Sequence, residues 1–142
     1  MTVAVKITYE GSLRCRAVHG PSGTEFVTDA PVDNQGKGES FSPTDLVGTA
    51  LGTCMLTIMA MAAERHGIDL RGTTVDVEKH MIADPKRRID RLPVTITVPI
   101  AVSAKHRKLL ENAAHTCPVH YSVEPRIERP VRFVWVDAPA PA

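Results

Sequence analysis

The stretch SPTDLVGTALGTCMLTIMAMAAERHG, residues 42–67, decides the fold. Ser42 suits a helix cap, Pro43 the first helical position, and Asp45 stands three residues after Ser42 as in a capping box. Val47, Leu51, Cys54, Ile58 and Met61 then recur at helical spacing, widened by Leu46, Ala50, Met55 and Ala62, which predicts one apolar stripe. Gly67, after Arg65 and His66, is a stop signal. The spacing predicts a long central helix over 43–66. Gly48 and Gly52, four apart, would let another backbone approach it closely. No charge occurs between Leu46 and Ala63. Gly48, Thr49, Gly52, Thr53 and Thr57 nevertheless favour a helix buried in protein over a membrane span.

Upstream, residues 3–9 alternate apolar and polar, the period of a strand with one buried face. A turn at Glu10–Gly11–Ser12 leads to Leu13, Cys15 and Ala17 on one strand face, with Arg14 and Arg16 together on the other. A third strand over 24–28 completes an antiparallel meander, and residues 29–40 read as a loop. Downstream, 75–82 and 92–102 alternate as strands around a charged turn at 84–91. Residues 104–116 form a second helix, 119–124 a possible short one capped by Cys117–Pro118, and 131–135 a last strand before a Pro/Ala tail at 138–142. Strands grouped around two helices predict an α+β fold, with an N-terminal meander and a second sheet, as a single domain over 1–142.

The composition narrows function. Seventeen Lys and Arg against sixteen Asp and Glu leave a net charge of +1, too little field to collect nucleic acid or an anionic membrane. With 4% aromatic residues a base-stacking platform is not expected either. The N-terminus lacks a secretory h-region, and three scattered cysteines suggest a reducing, cytoplasmic setting rather than a disulfide framework.

Those cysteines are the chemistry-bearing residues. Cys15 reads as core filling on its strand. Cys54 lies on the stripe of the long helix, where a free cysteine also packs as a small hydrophobe. Cys117 precedes a first-turn proline, where backbone N–H groups and the helix dipole would favour thiolate, and His115 and His120 flank it. A metal is the competing use of His115, Cys117, His120 and His80, but zinc-type spacings are absent, so neither a metal nor a cofactor is expected. No nucleophile elbow or phosphate loop occurs.

Phe41-Ser42-Pro43-Thr44-Asp45-Leu46, with Cys54 eleven residues beyond Pro43 on a glycine- and alanine-rich helix, resembles the osmotically inducible protein C (OsmC) family, which includes the organic hydroperoxide resistance proteins. Thr116-Cys117-Pro118-Val119 resembles its second cysteine block, and the Tyr9-Glu10-Gly11 turn fits as well. The resemblance runs from about Val3 to Trp135. It implies an intertwined homodimer with two long helices at its centre, and a thiol-dependent peroxidase of the oxidative stress response.

By that resemblance Cys54 attacks an organic hydroperoxide and becomes a sulfenic acid. Cys117 then resolves it as a redox-active disulfide, which a lipoyl-type dithiol or small thiol reduces. The family's peroxidases activate the thiolate with an arginine from the meander and a glutamate directly after the helix-start proline. Arg14 or Arg16 is the candidate arginine, reaching a neighbouring subunit. The glutamate position is Thr44, which departs from the pattern, and Glu78 and His80 on one strand face are secondary candidates or an exposed pair. A non-enzymatic small-ligand binding or redox-sensing protein is the alternative.

Overall fold

The computed structural model describes residues 1–137, so the Pro/Ala tail at 138–142 lies outside the described residues. The chain divides into two compact units, Met1–Val47 and Gly48 onward.

The first unit carries a three-stranded antiparallel sheet in the order β1 (Val5–Gly11), β2 (Arg14–His19), β3 (Glu25–Thr28). Pairing of Tyr9 with Cys15, Ile7 with Ala17 and Ala17 with Phe26 gathers these side chains on one face. Burial of that face is where the sequence expectation fails. Val5, Ile7, Tyr9 and Phe26 are all exposed, Ile7 by 66%, while Ala17 is buried and Cys15 half-buried. Alternation reports that a face is apolar; what covers it need not belong to the same chain. In the loop that follows, residues 32–34 form a single 3-10 turn.

Helix α1 (Pro43–Glu64) starts in the first unit and continues through the second. Its start is a reciprocal capping box: the Asp45 N–H donates to Ser42 Oγ at 3.1 Å and the Ser42 N–H to Asp45 Oδ2 at 2.8 Å. Its end is a glycine stop, with Gly67 at φ +66° and the Ile68 N–H donating to the Ala63 carbonyl at 3.0 Å. By length and composition α1 could cross a membrane, with a mean hydropathy of 1.8 over its most apolar window.

One side of α1 is nonetheless built into protein, and it is not quite the predicted stripe. The buried seam runs through Gly48, Leu51, Gly52, Met55, Met59 and Ala63, while Cys54 and Ile58 are half-buried and Met61 is 51% exposed. The glycine pair sets this rotation. A Cβ on Gly52 would stand 2.8 Å from Val77 Cγ2 and 3.1 Å from Val75 Cγ1, so valine side chains of the next strand fill the space the glycines leave.

That strand, β4 (Thr74–Val77), pairs antiparallel with β7 (Val94–Ala101), which pairs in parallel with β8 (Val131–Val136). Val94, Ile96 and Val98 of β7, with Leu92, are essentially fully buried, as are Leu51, Met55 and Met59. Here the expected 75–82 strand is broken in two. Val77 pairs with Val94, and the Glu78 N–H still donates to the Pro93 carbonyl at 3.0 Å, but Pro93 has no N–H to return the bond. The chain turns into β5 (His80–Ile82), a hairpin with β6 (Arg88–Arg91). The segment 84–91 is thus not all turn: its last four residues are a strand whose charges concealed it, with Ile89 alone buried. Two helices follow β7: α2 (Ala104–Ala114), capped by Ser103 Oγ, and α3 (Pro118–Ser122). The mixed α+β architecture is as expected.

Candidate active site

α1 carries Cys54 and the junction between α2 and α3 carries Cys117. Cys117 is the N-cap residue of α3, with Pro118 in the first turn, as its sequence suggested. Its backbone is extended, at φ −65° and ψ 138°, which turns the side chain back over the helix start. The His120 N–H therefore donates to Cys117 Sγ at 3.1 Å. The Cys117 side chain also interacts with that of Cys54, so two cysteines 63 positions apart meet in the fold. All three cysteines are free thiols. Cys117 is wholly buried, whereas Cys54 is half-buried.

This setting reverses one expectation. The cap position of Cys117 suggested a thiolate, and the His120 N–H does favour one. Burial outweighs it and pushes the Cys117 thiol up, and the neighbouring Cys54 adds to the rise. Cys117 therefore holds its proton more firmly than an ordinary cysteine.

His120 is half-buried beside it, and its Nδ1 is buried without a hydrogen-bond partner among the described residues. Burial first, then the electrostatic influence of Arg129 and His115, pulls its pKa down, which favours the neutral ring. His115 packs edge-on to His120, with ring centroids 6.1 Å apart, and also against Phe133 at 5.8 Å. Arg129 was not singled out from the sequence, where it is one charge among Arg126, Glu128 and Arg129. Its Nη1 donates to the carbonyls of Val123, Glu124 and Ile127 at 3.2–3.4 Å, and its Nε is buried without a partner among the described residues.

The remaining candidates are placed as follows. Arg14 pairs with Asp29 at 3.4 Å and with Glu39; Arg16 pairs with Glu10 at 3.0 Å and Glu25 at 2.8 Å. Each arginine is thus held by two carboxylates within the first unit. Glu78 Oε2 and His80 Nε2 lie at a hydrogen-bond distance of 2.8 Å at the break between β4 and β5, with exposed side chains. Thr44 turns its hydroxyl to Ser42 Oγ at 3.1 Å, within the cap of α1. Among the described residues no group of three or more His, Cys, Asp and Glu side chains is placed to hold a metal ion.

The α+β chain thus brings a helix-borne cysteine against a cysteine at a second helix start. Comparison gives the family. The family model described as OsmC-like protein matches residues 36–129, and the chain belongs to that family. Among solved structures it is similar to a protein of Psychrobacter arcticus described as an osmotic stress induced and detoxification response protein. The two are 49% identical over 94% of this chain and 96% of that one, with a TM-score of 0.88. The fold is also that of an organic hydroperoxide resistance protein from Legionella pneumophila, at 15% identity over 94% and 97% of the chains, TM-score 0.75. Another from Elizabethkingia anophelis is 17% identical over 96% and 97%, with the same score. Among curated proteins no match to the chain was found.

Proposed function

We propose that this protein is a cytoplasmic thiol-dependent peroxidase that reduces organic hydroperoxides. The observation that carries the reading is the adjacency of Cys54 and Cys117. The Cys54 thiolate attacks the peroxide O–O bond, leaving Cys54 as sulfenic acid and the substrate, with one proton taken up, as the alcohol. Cys117 displaces the sulfenic oxygen as water and closes a disulfide, which a lipoyl-type dithiol or small thiol reduces back to two thiols. The division of labour follows from exposure: the half-buried sulfur meets the peroxide, and the buried thiol waits behind it. The apolar surroundings of α1 suit an alkyl hydroperoxide better than hydrogen peroxide. Names of proteins with the same fold, organic hydroperoxide resistance proteins among them, agree with this chemistry.

The working form in this proposal is a homodimer, supported by the uncovered apolar face of β1 and β3. Arg14 or Arg16, contributed by the second copy, supplies the cation the Cys54 thiolate needs. A second reading, a small-ligand binder or redox sensor without turnover, draws on Thr44, whose hydroxyl is spent on the helix cap.

The test is dithiol-dependent consumption of cumene or t-butyl hydroperoxide. Turnover that disappears in Cys54→Ser is expected. A fully active Cys54→Ser protein contradicts the proposal, and absent turnover together with a co-purified ligand favours the second reading.

A further inference from the structure

We infer that the thiol which reduces the oxidised pair attacks it at Cys54 and expels Cys117, an inference that rests on the two-cysteine reading above. A disulfide offers two sulfurs to an incoming thiolate, and access is one of the factors that decide which is attacked. Cys117 has no exposed surface, whereas Cys54 is half-buried. Only one of the two can be met from solvent.

The fold enforces this difference at both ends of the pair. Cys54 sits midway along α1, and Thr57 and Met61, three and seven positions further on and therefore on its face, are exposed. That face leads a thiol to the Cys54 sulfur. Cys117 caps α3, and its sulfur is engaged by the His120 N–H at 3.1 Å and by the Cys54 side chain. A reagent would reach it only by opening the junction of α2 and α3. Backbone bonds hold that junction: the Thr116 N–H donates to the Ala113 carbonyl at 3.0 Å and the Tyr121 N–H to the Cys117 carbonyl at 3.3 Å.

Access makes the choice, and acidity does not. Burial pushes the Cys117 thiol up, which by itself makes Cys117 a reluctant leaving group. The His120 N–H offsets part of this, because charge that develops on the departing sulfur finds a hydrogen-bond donor already in place. Once expelled, Cys117 ends as the thiol that its burial favours. In that form it is slow to close back on Cys54, since the thiolate is the attacking species.

In the balanced step a thiolate of the reducing dithiol forms an S–S bond to Cys54 as the Cys54–Cys117 bond breaks, and the bonding pair leaves on Cys117. Cys117 takes up one proton, equal to the one the reducing thiol has lost. The second thiol of the dithiol then attacks its own partner sulfur in the mixed disulfide and releases Cys54. Two electrons pass to the pair, and the dithiol ends as a cyclic disulfide. A monothiol stops at the mixed disulfide, which records the sulfur attacked.

Diamide, which oxidises thiols without a peroxide, closes the pair in the intact chain. Peptide mapping checks the Cys54–Cys117 cross-link first, and if none forms, the two-cysteine reading falls and the inference with it. Excess glutathione is then added to the folded, oxidised protein. Samples are quenched in acid at successive times, unfolded, alkylated with N-ethylmaleimide and mapped. The earliest should carry glutathione on Cys54 and maleimide on Cys117, exceeding the reverse pattern by about tenfold or more. In guanidinium chloride, where both sulfurs are open, the bias should shrink to a few-fold. Glutathione mainly on Cys117, an even split in the folded protein, or a bias that persists undiminished in the unfolded chain overturns the inference. A companion measurement needs no accumulated mixed disulfide. Cys54 in Cys117→Ser should react with glutathione disulfide about a hundredfold faster than Cys117 does in Cys54→Ser, and comparable rates overturn the inference equally. Failure to consume hydroperoxide would count against the proposed function alone, because no peroxide enters either measurement.

Discussion

Val77 Cγ2 lies 2.8 Å from the point where a Cβ on Gly52 would stand, and Val75 Cγ1 lies 3.1 Å from it. β-Branched side chains on a paired strand have little freedom to retreat. Gly52→Ala should therefore destabilise the protein by about 1–3 kcal/mol through overpacking, despite alanine's better helix propensity. Gly48 is the internal control. A Cβ there meets Leu92 and Val77 at 3.4 Å, ordinary contact, so Gly48→Ala should stabilise by about 0.5–1 kcal/mol. Urea unfolding of both variants reads the contrast, and equal shifts of the same sign would refute the seam.

Acid should weaken the first unit through Asp29. This buried carboxylate accepts from the Glu39 N–H at 3.1 Å and pairs with Arg14 at 3.4 Å. The Glu39 N–H above all, with Arg14 behind it, holds its pKa below the ordinary aspartate value. A depressed folded-state pKa means that the unfolded chain binds the extra proton first. The contribution is complete above about pH 4 and fades as pH falls through the folded-state value. Asp29→Asn should lower stability at neutral pH, and its gap from the parent protein should close on acidification towards pH 3. A gap that stays constant across that range would contradict the assignment.

The exposed apolar face makes a prediction about assembly. Ile7 and Tyr9 are 66% and 63% exposed on a strand whose alternation marks them for burial. Sedimentation should find dimers of the parent protein. Replacing both residues, Ile7→Lys with Tyr9→Glu, should yield folded monomers that lose peroxidase turnover if Arg14 or Arg16 acts across the interface. A parent protein that sediments as a monomer would remove the dimer from the account.

What could be read from the sequence was what local chemistry determines. The Ser42–Asp45 box, the Gly67 stop and the Cys117–Pro118 cap each depend on neighbours within a few residues, and each is found where it was read. Misread features depend on distant partners. The split between β4 and β5 follows from Pro93, and Arg88–Arg91 is a strand because β5 pairs with it. The seam of α1 could not be oriented because the helix is apolar nearly all round, and Met61 stands exposed in consequence. At the site, the two cysteines were visible as residues, but their meeting was implied by family resemblance alone. Arg129 gave no signal, since its place beside His120 is set by the chain's return from α3 to β8.

The central claim is that Cys54 and Cys117 trade electrons with a hydroperoxide as a pair. The most direct measurement is peptide mapping by mass spectrometry of the reduced protein after stoichiometric cumene hydroperoxide. The account predicts a Cys54–Cys117 cross-link within one chain, replaced in Cys117→Ser by a trappable sulfenic acid on Cys54. Both cysteines recovered unmodified, or Cys54 driven to sulfinic acid with Cys117 still a thiol, would contradict it.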